Sequence, residues 1–454
     1  MSFVSLPRAT SEAQSVSSQA VLSFLDAAEG PGIDLHSLMV LRRGHVIAEC
    51  WWAPYGSGLR HQLYSLTKSF MSTAVGLGIS EGLLDLDEPI ASVFPDKLPE
   101  TPDKRLPALT LRHLLTMTSG WEQDIVRPGC AVDQDWVRGA LAFPIVHEPG
   151  TVFSYNSTAS YLAGAALQRR AGVTMEEYLA PRLFEPLGIG DVLWERCPHG
   201  LTIGGWGLSL KTEDIARFGQ LYLQRGMWNG QRLVPATWVS QATSKQVSNG
   251  ADPESDWNQG YGFQFWQCRH GIYRGDGAFG QYCIVMPERD AVVAITSSVK
   301  DMQRLLSLVW EHILPGLSEE ACAPEKASET LRARLATLEA PHVVGQPSSP
   351  LAEAVGGRAY RLDNGEVKRY DFDQANADRW TEIDFPPLPG RVVARGAWTD
   401  DHTYAETVRA IETPFSVEIV SRFDDAGNVR IERTGNVGFG DAGPAVVVGR
   451  WDGA

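Results

Sequence analysis

From Pro341 to Pro350 the chain packs three prolines, one glycine and two serines into ten residues. Neither a helix nor a strand interior accommodates that composition. Hydrophobic patterning differs on its two sides, so this segment predicts two separately folded units, the natural division for a chain of 454 residues. The expected layout is a mixed α/β unit over 1–322, a helical segment and Pro/Ser-rich linker over 323–350, and a small all-β unit over 351–454.

In the first unit, Val21 to Leu25 predicts an opening helix. Leu38 to Leu41 reads as a strand that turns at Arg42-Arg43-Gly44 into a partner over His45 to Glu49. A helix runs from about Ser65 to Glu81-Gly82. Another begins at a capping threonine, Thr110, and further helices cover Ser157 to Ala171 and Thr212 to Leu223. Gly260 to Trp266, Ile272 to Arg274 and Tyr282 to Val285 predict antiparallel strands. Strands at both ends with helices between make this an α+β domain. Beyond the linker, Arg358 to Leu362, Val367 to Phe372, Arg391 to Ala397, Ser416 to Arg422 and Val429 to Arg433 alternate like strands of a barrel or sandwich.

Composition excludes several functions. A net charge of -15 leaves no basic stripe for nucleic acid. No stretch of about eighteen apolar residues predicts a membrane span. Met1 to Leu22 is polar and serine-rich, unlike a signal peptide. The six cysteines lack metal-site or disulfide spacing, so they are read as free thiols of a cytoplasmic protein without a metal or other cofactor.

Chemistry enters at Ser65-Leu66-Thr67-Lys68. On a helical turn, residues three apart share a face, which brings an amine to a hydroxyl that is inert at its own pKa. The pattern recurs at Ser297-Ser298-Val299-Lys300. There Ser297 ends an apolar run and Ser298 reads as the N-cap of the next helix, so that copy is taken as capping. Two further segments bear on the first copy. Glu148 to Ser157 offers Tyr155 in a polar loop just before a helix, where a phenol could pass a proton. Gly275-Asp276-Gly277-Ala278 runs into a strand whose glycines let a substrate lie close and a backbone N–H reach an oxyanion.

In this order the three segments resemble the serine β-lactamase and penicillin-binding protein superfamily, nearest its esterases, 6-aminohexanoate-dimer-hydrolase-like amidases and D-amino-acid peptidases. Thr110 to Gly120, Phe184 to Ile189, Trp206-Gly207-Leu208 and Asp214 to Arg217 carry the likeness further, over about Leu38 to Leu314. The C-terminal part is similar to the lipocalin-like barrel appended to some members, on Gly396-Ala397-Trp398, Asn436 to Phe439 and Gly449-Arg450. The resemblance implies Ser65 as acylated nucleophile, Lys68 as its proton partner and Tyr155 as general base and acid. Backbone N–H groups of Ser65 and Ala278 would form the oxyanion hole.

Two departures bear on substrate. The family's tyrosine-x-asparagine is here Tyr155-Asn156-Ser157, so either Asn156 or Ser157 could serve substrate. Where relatives carry Lys-Thr-Gly, this chain has Gly275-Asp276-Gly277, with no cation for a substrate carboxylate. Asp276 could attract an amine instead, and Arg450 could supply the cation from the far unit. The expected function is therefore a serine hydrolase acting on a small-molecule or peptide ester or amide, with homo-oligomerisation open. The alternatives are a D-stereoselective peptidase or peptide-cyclising transacylase on the same residues, and a catalytically silent binding protein.

Overall fold

The computed structural model describes residues 5–124, 134–317, 326–370, 372, 377–440 and 443–451. Its first unit is built on a six-stranded antiparallel sheet. In chain order the strands are β1 (Leu35–Arg42), β2 (His45–Trp51), β3 (Trp266–Gln267), β4 (Tyr273–Gly277), β5 (Gln281–Met286) and β6 (Ala291–Ser297). They lie side by side as β2-β1-β6-β5-β4-β3, so the two ends of the unit's sequence close on each other through β1 and β6. Arg43 and Gly44, both at positive φ, form the two-residue turn between β1 and β2, the geometry that suits the twist of a tight hairpin.

All eight residues of β1 are buried because helices cover both faces of the sheet. Leu38 and Val40 face α1 (Ser18–Ala28), through Phe24 and Leu25. Met39 and Leu41 point the other way, into the core shared by α2 (Thr67–Ser80), α3 (Ser157–Ala171) and α4 (Thr212–Leu223). The central helix is α2, buried from Thr67 to Gly78, and that is why its sequence is apolar or small all round.

Three expectations shift. Gly260 to Phe265 forms only isolated bridges, since positive φ at Gly260 and Gln264 breaks the extended run. The helix Met302–Leu308 is capped by Asp301, which accepts from the Arg304 N–H, rather than by Ser298. The charged helix spans Lys326–Leu335; the expected boundary at 322/323 and Cys322 lie outside the described residues, as does Cys130.

The second unit is one eight-stranded antiparallel sheet. Its strands are β7 (Ala359–Leu362), β8 (Val367–Arg369), β9 (Thr381–Ile383), β10 (Val392–Trp398), β11 (Thr403–Ala410), β12 (Ser416–Phe423), β13 (Asn428–Gly435) and β14 (Ala445–Trp451). The order is β8-β7-β14-β13-β12-β11-β10-β9, with β8 and β9 left as edges among the described residues. The sheet curls as a half-barrel, consistent with the small barrel expected, around a core that includes Tyr360, Tyr370, Trp398, Tyr404 and Phe423.

Pro341 to Pro350 does not hang free. Arg409 donates to the Pro341 carbonyl at 2.7 Å, the Val343 N–H donates to Thr407, and Gln346 pairs with Trp398. The two units meet through the Arg409–Asp34 ion pair at 2.9 Å and a Gln62 N–H donated to the Glu412 carbonyl at 2.8 Å. Asn436 reaches Ser298. The end of the C-terminal sheet holding residues 412–416 and 435–439 therefore abuts the first unit.

Candidate active site

Ser65 sits in a single 3-10 turn, Tyr64–Leu66, directly ahead of α2. Tyr64 has φ 47°, a left-handed conformation costly for a side chain with a Cβ. Lys68, in the first turn of α2, is 1% exposed. Its Nζ lies 3.1 Å from Ser65 Oγ, 3.2 Å from Ser157 Oγ and 2.6 Å from the Gly205 carbonyl. Burial pulls its pKa down to about 8, against the charges of Asp124 and Asp276, which raise it. A near-neutral pKa beside a serine is what activation of the hydroxyl requires.

Tyr155 lies with its ring 5.0 Å from Lys68 Nζ and stacked on Trp266 at 5.3 Å. Burial raises its pKa most, and the charge of Asp276 adds to that; a hydrogen bond with Ser65 opposes both. The residue keeps 37% of its surface exposed. At neutral pH Tyr155 is a phenol and not a phenolate.

The glycines of the third segment are where close approach demands them. A Cβ on Gly277 would lie 2.0 Å from the Leu63 carbonyl and 3.2 Å from the Ser65 amide nitrogen; one on Gly275 would strike Leu66 and Ser69 at 2.5 and 2.6 Å. With β4 pressed so tightly on the Ser65 turn, Ala278 follows at the strand's end, partly exposed like Ser65 itself.

Asp276 points to the other face of β4. It accepts a hydrogen bond from Arg274 Nε at 3.0 Å, and the same carboxylate oxygen lies 2.9 Å from Nη2 as an ion pair. Arg274 is fully buried over Trp257, at 4.4 Å, and Trp266, and donates onward to the Asp256 carbonyl and Cys268. A cation does stand beside the expected gap, one residue before Gly275, but Asp276 neutralises it. For the buried pair, desolvation pushes Asp276 up and Arg274 pulls it back down.

Of the two candidates after Tyr155, Ser157 is the one in the site. Asn156 is 1% exposed and serves as the N-cap of α3, accepting from the Ala159 N–H and donating to the Gln123 carbonyl. Arg450 is exposed on β14 and pairs with Asn428. Asn428 begins β13, whose other end, Gly435, is the one near the first unit. Seven residues of extended chain place Arg450 about 23 Å from that end within the chain.

Sequence reading did not single out Asp124, Arg274 or the Gly205 carbonyl. Asp124 accepts from the Ser157 and Thr158 N–H groups and from the Thr158 hydroxyl, an anion at the start of α3. Its only sequence signal was an acidic residue in a loop. Gly205 precedes the Trp206-Gly207-Leu208 motif that had been noticed. Among the described residues, no group of three or more His, Cys, Asp or Glu could hold a metal, and no helix is long and apolar enough to cross a membrane.

The site thus joins a serine to a buried lysine where a 3-10 turn enters a helix packed against an antiparallel sheet. Residues 27–317 match the beta-lactamase family, and the chain belongs to that family and to its serine hydrolases. It is 25% identical over 292 residues to a 6-aminohexanoate-dimer hydrolase of Paenarthrobacter ureafaciens, covering 58% of this chain and 73% of that one. It is 30% identical over 158 residues to a monacolin J acid methylbutanoyltransferase of Aspergillus terreus, covering 30% of this chain and 38% of the relative. An octameric penicillin-binding protein homologue from Pyrococcus abyssi shares the fold over 95% of this chain and 98% of its own, with a TM-score of 0.52 at 15% identity. That overlap takes in both units.

Proposed function

We propose that the protein cleaves a small, uncharged ester or amide through an acyl-enzyme on Ser65. The observation carrying this reading is Lys68 Nζ at 3.1 Å from Ser65 Oγ with a pKa near 8. A neutral Lys68 takes the Ser65 proton as Oγ adds to the carbonyl carbon. The resulting oxyanion is held by the N–H groups of Ser65 and Ala278. The proton then passes from Lys68, through the Tyr155 phenol, to the departing oxygen or nitrogen, and the carbon–heteroatom bond breaks. An incoming nucleophile gives up its proton along the same path and releases the acyl group.

Tyr155 acts here as a proton carrier rather than the resting base, since burial and Asp276 disfavour its phenolate. Substrate carboxylates are disfavoured because Arg274 is spent on Asp276. Water as acceptor gives a hydrolase. An alcohol or amine acceptor gives a transferase, an alternative favoured by the acyltransferase named among the relatives. A reducing, cytoplasmic setting fits the four described cysteines, all buried and free. Assembly into a homo-oligomer stays part of the proposal, by likeness to the octameric homologue.

Intact-mass measurement after treatment with a fluorophosphonate tests the reading. One adduct is expected, absent in Ser65→Ala. A wild-type protein that takes no label while remaining folded would instead be a binding protein on this fold.

A further inference from the structure

Four aromatic side chains from both units meet beside the oxyanion pair. Tyr64 precedes Ser65 and Phe279 follows Ala278, and their rings lie edge to face at 5.6 Å. From the C-terminal unit, Phe415 comes within 6.4 Å of Tyr64 and 6.1 Å of Phe279. Phe439 comes within 5.5 and 4.9 Å of the same two rings. Phe279, like Tyr64, has a left-handed backbone, φ 67°. The chain thus holds a strained conformation on both sides of the site, and each strained residue sends its ring into this cluster.

Plain interdomain packing would bury such rings. Tyr64 is buried, but Phe439 keeps 75% of its surface exposed on a loop between Gly438 and Gly440. The supporting loops are nonetheless fixed. Asn436 accepts the Ser416 N–H, donates its own N–H to the Ser416 carbonyl, and donates its side-chain amide to the Pro414 carbonyl and to Ser298. An open aromatic face on a braced loop at the mouth of a nucleophile site is built to cover something apolar.

We propose that Tyr64, Phe279, Phe415 and Phe439 form a subsite for an uncharged aliphatic or aryl acyl chain, so that the C-terminal unit sets acyl-group preference. The inference rests on the acyl-enzyme at Ser65 proposed above. Around the tetrahedral carbon, the oxyanion faces the two amides and the leaving group faces Tyr155, which must hand it a proton. Tyr155 belongs to a separate aromatic group with Trp266 and Tyr261. The remaining substituent, the acyl chain, is the one left to the Tyr64–Phe279 side.

The test is kcat/KM on 4-nitrophenyl acetate, butyrate and hexanoate for wild type, Phe439→Ala, Phe439→Leu and Trp451→Ala. Trp451 is a surface ring at the end of β14, stacked under Arg358. Fluorophosphonate labelling of every variant is measured in parallel. Wild type should favour hexanoate. Phe439→Ala should cut the hexanoate-to-acetate ratio by about tenfold, the scale of leaving about two methylenes in water. Phe439→Leu should recover most of the ratio, and Trp451→Ala should keep the wild-type one. A parallel loss at every chain length would overturn the subsite. So would an unchanged ratio, or a loss that instead follows the leaving group when ethyl hexanoate replaces the nitrophenyl ester. In all three, Ser65 would still be labelled, whereas unlabelled wild type would bring down the acyl-enzyme and the subsite together.

Discussion

Two stretches of this chain carry a serine three residues before a lysine, and the structure uses them in opposite ways. Ser65 and Lys68 lie across a 3-10 turn running into α2, so their side chains converge to 3.1 Å inside the protein. Ser297 ends β6, and the chain from there to Lys300 is not helical. Lys300 stands exposed, while the Ser297 hydroxyl turns inward and donates to the carbonyls of Phe279 and Gly280 at 2.9 and 2.8 Å. The difference is backbone geometry alone: spacing of three brings side chains together on a helix and separates them where the chain leaves a strand.

The sharpest way to break this comparison is at the lysines. Lys68→Met removes the group that takes the Ser65 proton and should lower kcat/KM by at least about a thousandfold, within the range for a positioned general base. Lys300→Met should leave it within about twofold, as for an exposed surface change. Ester hydrolysis under matched conditions measures both. Comparable losses in the two variants would mean that the second pair also acts in the reaction.

Much of this contrast was legible beforehand. The helix after Lys68, the helix Ser157–Ala171 and the helix Thr212–Leu223 follow from apolar spacing and capping residues, and their bounds agree with the structure. Helical spacing pointed to Ser65 with Lys68 and family likeness to Tyr155, and the structure brings the three side chains together. What escaped reading is set by long-range contact. Asp124 reaches the Ser157 amide across 33 residues, and no local pattern encodes that. Arg274 looked like an ordinary strand residue until Trp257, Trp266 and Asp276 closed around it. In the C-terminal unit, strands β9, β11 and β14 were not read from the sequence. In β11 all eight residues are buried, Tyr404, Val408 and Ala410 in the sheet's own core, Glu406 beside Lys368, and Thr407 and Arg409 against the linker, so polar and apolar positions do not alternate by exposure. The place of Arg450 was not legible for a related reason: sequence gives a strand, but not which end of the sheet meets the first unit.

A middle-sized effect is expected at Asp276, which bears on Lys68 through charge. Activity should fall as pH drops below about 8, because Lys68 becomes protonated and can no longer take the Ser65 proton. The Asp276 carboxylate favours the protonated amine, and in Asp276→Asn the unpaired Arg274 disfavours it. Both changes lower the Lys68 pKa, so the acid limb of kcat/KM should move to lower pH. The cost is stability, since one partner of a buried pair is lost; about 3 kcal/mol is expected, read as a drop in Tm. An acid limb that stays in place would show that a group other than Lys68 controls it.

The smallest effect belongs to Ser297, and it tests whether the second serine is wholly idle. Its hydroxyl braces the turn that carries Phe279, and Gln281 helps by donating to the carbonyls of Ala278 and Ser297. Ser297→Ala removes one buried donor, but the Phe279 carbonyl keeps the Val299 N–H at 2.9 Å. The expected loss is therefore about 1 kcal/mol of stability. Because Ala278 lies in the same turn, a slight loosening should also slow fluorophosphonate labelling of Ser65 by a fewfold, about what 1 kcal/mol of lost positioning gives. Labelling rate and Tm are read together on the same sample. A fully active Ser297→Ala with unchanged Tm would show that Gln281 and the Val299 N–H brace the turn without the hydroxyl. A Ser297→Ala as inert as Ser65→Ala would erase the distinction between the two copies, because the inward-facing hydroxyl would then be needed for chemistry and not for shape.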